Sequence, residues 1–185
     1  MDVFKKVLEI CKKNKTFISY RDSQTTQWLG DGSAFYLLHE NREFKPEFLT
    51  AAAKLNENDL LGTFFGKERL SKSFELTDMA SHEEICRVSL IDLVIDNKKY
   101  KVVFTIDGAR LIDADYIIWD ELEYEVYFRV FEGRKYFVIK QGMCICAIIK
   151  DDKAGLIKAE HGRIDQMAKQ FTVSYKKLKG EDESE

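Results

Sequence analysis

Apolar residues recur at a helical interval over residues 2–13. Phe4, Val7, Leu8 and Cys11 make one stripe, and Lys5, Lys6, Lys12 and Lys13 lie off it, which predicts an amphipathic helix. The period then shortens to two. Thr16 to Arg21 reads as a strand, 22–26 as a polar turn, Gln27 to Leu29 as a second strand, and Ser33 to Leu38 as its continuation after the Gly30-Asp31-Gly32 break. Pro46 suits the first turn of a helix running to about Leu55, with Phe48, Leu49, Ala52 and Leu55 inward and Asn56 to Asp59 closing it. Residues 60–86 carry a weaker pattern: Leu60 to Phe65 is apolar, Ser71 to Leu76 suits a strand, and Asp78 to Glu84 suits a loop or short helix.

From position 87 the alternation is strong. Val88 to Ile95, Tyr100 to Ile106 and Ala109 to Ile112 read as strands, with turns at Asn97-Lys98 and Asp107-Gly108. Asp113 or Asp115 is placed to cap a short helix through Leu122, with Tyr116 and Trp119 inward. A meander follows in Glu123 to Phe131, Lys135 to Lys140 and Met143 to Lys150. A last helix, from Ile157 or Arg163 to Leu178, carries the stripe Ile164, Met167, Ala168, Phe171, Tyr175 and Leu178. The fold class expected is α+β: antiparallel sheet with helices packed on one face. One compact domain would comprise a helix–hairpin–helix unit at 1–59, a connecting or inserted segment at 60–86, a meander unit with its helix at 87–178, and an acidic, disordered tail at 179–185.

The two halves share an order. Trp28 to Tyr36 and Phe104 to Ile112 each hold an Asp-Gly break with an aromatic three residues before the Asp, and each precedes an expected helix, so two similar hairpin–helix halves are one reading. Asp-Gly is also a common turn pair, so the likeness can arise by chance. Together with the Ile112 to Tyr116 segment and the meander to Ile149, the Trp28 to Tyr36 strand pair resembles one domain of a DNA sliding clamp. The resemblance covers 1–55 and 88–150. Gly30, Ser33 and Ala34 stand where the clamp turn carries Thr, His and Arg. It implies a fold whose basic helices meet a duplex through its phosphates, in an assembly of several such domains.

Composition adds limits. The chain has 185 residues, 45% hydrophobic and 33% charged, enough to build a core without staples. No run of 18 apolar residues exists and the first residues lack a signal-peptide apolar segment, so a cytoplasmic protein with no membrane partner is expected. The net charge is −3, and four of the last five residues are acids, which leaves the remainder at +1. Cys11, Cys86, Cys144 and Cys146 lack the spacing of a zinc site and read as small buried hydrophobes in a reducing compartment.

Catalytic signatures are missing. No glycine-rich phosphate loop or serine elbow occurs, and no cofactor is implied. His82-Glu83-Glu84-Ile85-Cys86 starts like a zinc-protease helix but ends in Cys; His161 reads as a solvated histidine. Asp107, Asp113 and Asp115 form the best carboxylate group for a metal-dependent nuclease or hydrolase, although turn and cap roles suit them as well. Cationic helix faces are the other option. The candidate DNA contacts are Lys5, Lys6, Lys12 and Lys13 on the first helix, and Lys169, Lys176 and Lys177 on the last, where solvated helix faces would look the same. Tyr124, Tyr127, Phe128 and Tyr136 suit base stacking or a core.

The expected function is a non-catalytic binding protein, in its most concrete form a clamp-like factor binding DNA or a DNA-replication protein through backbone charge and an exposed sheet edge, as an oligomer. The alternative is a small protein-binding inhibitor or regulator of the mobile-element accessory type. A metal-dependent nuclease or hydrolase is third.

Overall fold

A computed structural model describes residues 2–21, 26–39, 43–120, 123–153, 156, 160, 162–167 and 169. The first helix, α1 (Val3–Lys13), starts where Asp2 accepts a hydrogen bond from the Phe4 N–H at 3.1 Å. It buries Val7, Leu8, Ile10 and Cys11, and places Lys12 and Lys13 at its C-terminal end, where the helix dipole favours cations. Three antiparallel strands follow: β1 (Thr16–Arg21), β2 (Gln27–Gly30) and β3 (Ala34–Leu38). The turn before β3 accounts for its residues. The Asp31 carboxylate accepts from the Ser33 and Ala34 N–H groups at 3.0 and 2.9 Å, and Gly32 takes φ +94°. A Cβ on Gly30 would lie 1.8 Å from the Ala34 carbonyl oxygen, so only glycine fits there.

The chain then makes α2 (Pro46–Ala52) and a separate turn of helix, α3 (Glu57–Leu60). Asn56, expected to help close the first helix, instead opens the second through a reciprocal capping box with Asp59. β4 (Phe64–Lys67) pairs with β1 in parallel, and β5 (Glu84–Ile85) pairs with β9 (Glu125–Phe131). β6 (Arg87–Ile95), β7 (Lys98–Thr105) and β8 (Gly108–Asp113) form a three-stranded sheet of their own. β10 (Arg134–Gln141) and β11 (Cys144–Lys150) complete the meander.

The large sheet has eight strands in the order β4-β1-β2-β3-β11-β10-β9-β5, antiparallel except for β1 with β4. Its two meanders join where Ala147 of β11 faces Tyr36 of β3. β10 is central and buried on both sides. Phe137 and Ile139 point to one face, and Tyr136 and Val138 to the other. The first face packs against α1, α2 and the inner side of the small sheet through residues such as Leu29, Val103 and Ile112. The outer side of the small sheet holds Leu93, Val102 and Leu111 against Ile164, which lies in the helical stretch 162–167, with Met167 packed beside it. The helices of the large sheet thus lie on one face, and the α+β architecture is as the alternation predicts.

Several local expectations change. Residues 71–76 are not a strand: Leu70–Lys72 is a 3₁₀ turn, and Leu70 and Phe74 are buried in the second face of the large sheet. Chain lying across a sheet face meets side chains, so it cannot join a ladder. Asp113 caps only a 3₁₀ turn, Ala114–Tyr116, and the expected helix does not continue through 117–120; Glu121 and Leu122 lie outside the described residues. The β6–β7 turn sits at Asp96-Asn97, both at positive φ, one residue earlier than expected. The two Asp-Gly hairpins occupy different sheets, and α2 follows the first while only the 3₁₀ turn follows the second. The expected turn at 22–25, most of the last helix and the acidic tail lie outside the described residues.

Candidate functional site

The lysines of α1 are largely engaged within the molecule. Lys6 donates to the Ile118 carbonyl, and Lys13 pairs with Asp115. Lys12 lies 3.0 Å from Asp59 and donates to the Lys54 carbonyl at 3.3 Å. These contacts link α1 to α3 and to the 114–118 segment, with the Lys13–Asp115 pair itself exposed. Lys5 is exposed, as is Lys169 on the last helix; Lys176 and Lys177 lie outside the described residues. The structure therefore does not gather the seven candidate cations into one described surface.

The carboxylates do not converge either. Asp107 lies at the tip of the β7–β8 hairpin near Lys135 (3.7 Å) and Arg110 (4.0 Å). Asp113 and Asp115 lie at the other end of β8, about 20 Å away at ~3.3 Å per residue, occupied in the cap and the Lys13 pair. Among the described residues no group of three or more His, Cys, Asp or Glu side chains could hold a metal ion. His82 and Glu83 lie in an irregular segment rather than on a helix, which removes the zinc-protease reading. His161 lies outside the described residues.

The thiols split into two kinds. Cys11 and Cys86 are buried; burial, then the charge of Asp31, raises the Cys11 thiol well above its ordinary value, and burial, then Glu84, pushes Cys86 up to about 12. Cys144 is exposed and Cys146 half-buried, against the expectation that all four are buried. Cys146 is the extra residue of a β-bulge, since Ala147 faces Ile139 while Ile145 faces Lys140. Both line a cavity of about 460 Å³ with His39, Asp78 and Trp119. Burial raises the Cys146 thiol, which disfavours the thiolate a nucleophile requires. Of the aromatic candidates, Phe128 and Tyr136 are core, and Tyr127 lies beneath the Lys140 ammonium, 4.2 Å from its ring centre.

A buried polar cluster on the second face went unforeseen. All five Arg129 donors are used: Nε and Nη2 donate to Glu83 at 2.9 and 2.6 Å, and the remaining N–H groups to the carbonyls of Glu75, Thr77 and Asp78. Lys140 donates to the other Glu83 oxygen at 2.5 Å. The Tyr136 hydroxyl accepts from the Glu75 N–H, and Asp78 accepts from the Ile145 N–H. Together these groups fasten residues 75–83, a strap without ladder partners, across the sheet. The available signal was a charged residue at an inward position of each strand: Arg129 between Phe128 and Val130, and Lys140 after Ile139.

Exposed apolar side chains gather at both ends of the large sheet. At the β5 end, Ile85 is 60% exposed, Leu90 74% and Ile106 88%. Ile85, Leu90, Tyr124 and Glu125 line a groove of about 200 Å³, and the Ile106 N–H donates to Glu84 at 2.5 Å. Glu125, one of the residues that line the groove, is exposed. At the β4 end, Leu61 is 70% and Phe64 58% exposed. No helix of the described residues is long and apolar enough to cross a membrane. No family model, no curated protein and no solved structure matches the chain.

Proposed function

We propose that this chain is a non-catalytic protein-binding module that makes contact through the β5 end of its large sheet. The observation that carries this reading is the group Ile85, Leu90 and Ile106, each more than half exposed, the first two on the wall of a groove that also holds Glu125 and the third bonded to neighbouring Glu84. Apolar side chains clustered on an edge mark interaction sites, because a sheet edge left in this state attracts other chains. The recognised chemistry is an apolar side chain flanked by cations. A clamp-like role on DNA has less support, since Lys6, Lys12 and Lys13 already hold internal partners.

The test is affinity capture from the native host with the wild-type chain and with a Leu90→Glu variant. Partners held by the wild type should be lost by the variant. Equal capture by both would refute the reading. Retention on DNA that weakens steeply with salt would instead favour the phosphate-binding role.

A further inference from the structure

Near β4 the first face of the large sheet turns polar. Phe17 of β1, Leu29 of β2 and Phe65 of β4 pack into the core of that face. The alternation of each strand puts Ser19 and Arg21, Gln27 and Lys67 on the same side. The register sets them next to one another: Arg21 faces Gln27, and Ser19 faces Lys67. With Arg69, just beyond β4, they line a cavity of about 340 Å³. Its polar residues are partly deep in the sheet, Ser19 at 9% exposure and Gln27 at 1%. The Ser19 carbonyl accepts the Glu68 N–H at 3.2 Å, but its hydroxyl has no hydrogen-bond partner among the described residues. The lining charges are three cations and two carboxylates. Lys67 holds Glu43 at 3.1 Å, and Arg21 acts on Glu43 only through space. Among the described residues no hydrogen bond or ion pair engages the guanidinium of Arg21 or of Arg69, and Glu68 is the unpaired carboxylate beside them.

We infer that this cavity binds the phosphate group of a small molecule, held by Arg21 and Arg69, with the Ser19 hydroxyl as a further donor. A guanidinium presents paired N–H groups that match phosphate oxygens two at a time. A carboxylate carries one charge and would occupy one guanidinium. A phosphate dianion offers the charge and the acceptor oxygens for both. A buried hydroxyl without a partner has its hydrogen bond left to make, and a ligand oxygen can supply it. Small-ligand sites begin at roughly 300 Å³, so the cavity has room for a phosphate with a compact body attached. The site lies at the other end of the strand order from the β5 groove and does not depend on what binds there.

The experiment is titration calorimetry on the full chain with inorganic phosphate, glucose 6-phosphate and glucose as probes. The phosphate-bearing probes should saturate and glucose should not. Arg21→Gln and Arg69→Gln should each weaken binding by about tenfold, the loss of one charge-assisted hydrogen bond. Glu68→Gln should tighten it by removing the opposing charge. Lys13→Ala, in the exposed pair with Asp115, should leave it unchanged. Arg21 and Arg69 are exposed, so thermal unfolding that matches the wild type certifies the folds of their variants. Tighter binding of the ester than of inorganic phosphate supports the inference and assigns the site to a phosphomonoester; equal binding supports it and assigns the site to the free anion. Saturation by neither phosphate probe overturns it. Affinity that survives both arginine variants, or that falls as much in Lys13→Ala, also overturns it, because the charge would then act from elsewhere on the surface.

Discussion

The two faces of the large sheet are closed in different ways. The first is covered mainly by regular elements, α1, α2 and the small sheet, which satisfy their own backbone groups and contribute mostly apolar side chains, joined by the 117–119 segment and by Arg110 of β8 over the Phe128 ring. The second is covered by the irregular chain after β4, where Leu70 and Phe74 supply apolar contacts and the 75–83 strap that follows has no ladder partner. Its carbonyls need donors, and Arg129 serves three of them from the sheet itself. Regular elements can pack by surface alone; an irregular cover requires buried polar groups from its support.

This contrast can be broken from either side. Truncating the first face, as Phe137→Ala, removes a wholly buried ring and should cost about 4 kcal/mol, read as a lower urea midpoint with an unchanged slope. Arg129→Ala should cost about 3 kcal/mol, because it leaves one Glu83 oxygen and three carbonyls without their donors, with Lys140 alone on the carboxylate. Hydrogen exchange separates the two: Phe137→Ala should raise exchange in both meanders, whereas Arg129→Ala should raise it first at the Glu75 N–H and Ile145 N–H. A uniform increase in Arg129→Ala would mean that the strap is no separate unit.

Acid should sharpen the comparison. Burial by itself raises the Glu83 carboxyl, but the hydrogen bonds from Lys140 and Arg129 outweigh it and hold it below the ordinary carboxylate value. A depressed folded pKa contributes stability above the unfolded value, ~4.3, and that contribution disappears as pH falls through the folded one. Asp151 is the opposite case. Burial raises its carboxyl, partly offset by Arg110 at 3.3 Å, so its ionisation disfavours the fold and acidification relieves that strain. Falling pH should therefore loosen the strap before the contact between the sheets. Trp28, buried beneath the strap, reports it: in a Trp119→Phe background its emission should shift to the red below the ordinary carboxylate range while near-ultraviolet tyrosine signals persist. Simultaneous loss of both signals would contradict the order.

The smallest effect belongs to the surface. Lys13→Ala removes an exposed pair with Asp115 and should change stability by about 0.5 kcal/mol or less, within the scatter of most unfolding curves. A loss above ~1 kcal/mol would show that the α1 lysines hold the helix in place rather than decorate it.

β7 was legible because Tyr100 and Val102 alternate with Lys99 and Lys101, a period of two that marks a pleated backbone, and β10 because Tyr136 to Ile139 is a short continuous apolar run between turns, the pattern of a strand buried on both faces. The strap was not legible. Leu70, Phe74 and Leu76 match a strand pattern equally well, and only their position across a face, with no edge in reach, excludes a ladder. The helix expected after Asp113 failed for a related reason: the cap signal is present, but Tyr36 donates to the Tyr116 carbonyl at 2.8 Å, which holds the chain after a single turn. The groove residues were visible as hydrophobes without any sign that they are exposed, since burial depends on what neighbours cover.

Local pattern alone determined the α+β class, the glycine-dependent Asp31 turn, the amphipathic first helix and the meander after Tyr124. These depend on spacing and backbone sterics within a few residues. Tertiary structure decided how two meanders meet as one eight-stranded sheet, which lysines are spent on internal partners, where Arg129 finds its acceptors, and which greasy side chains are left at the sheet ends. Each of those is a contact between residues distant in sequence, and distance along the chain carries no record of which groups will share a surface once it folds.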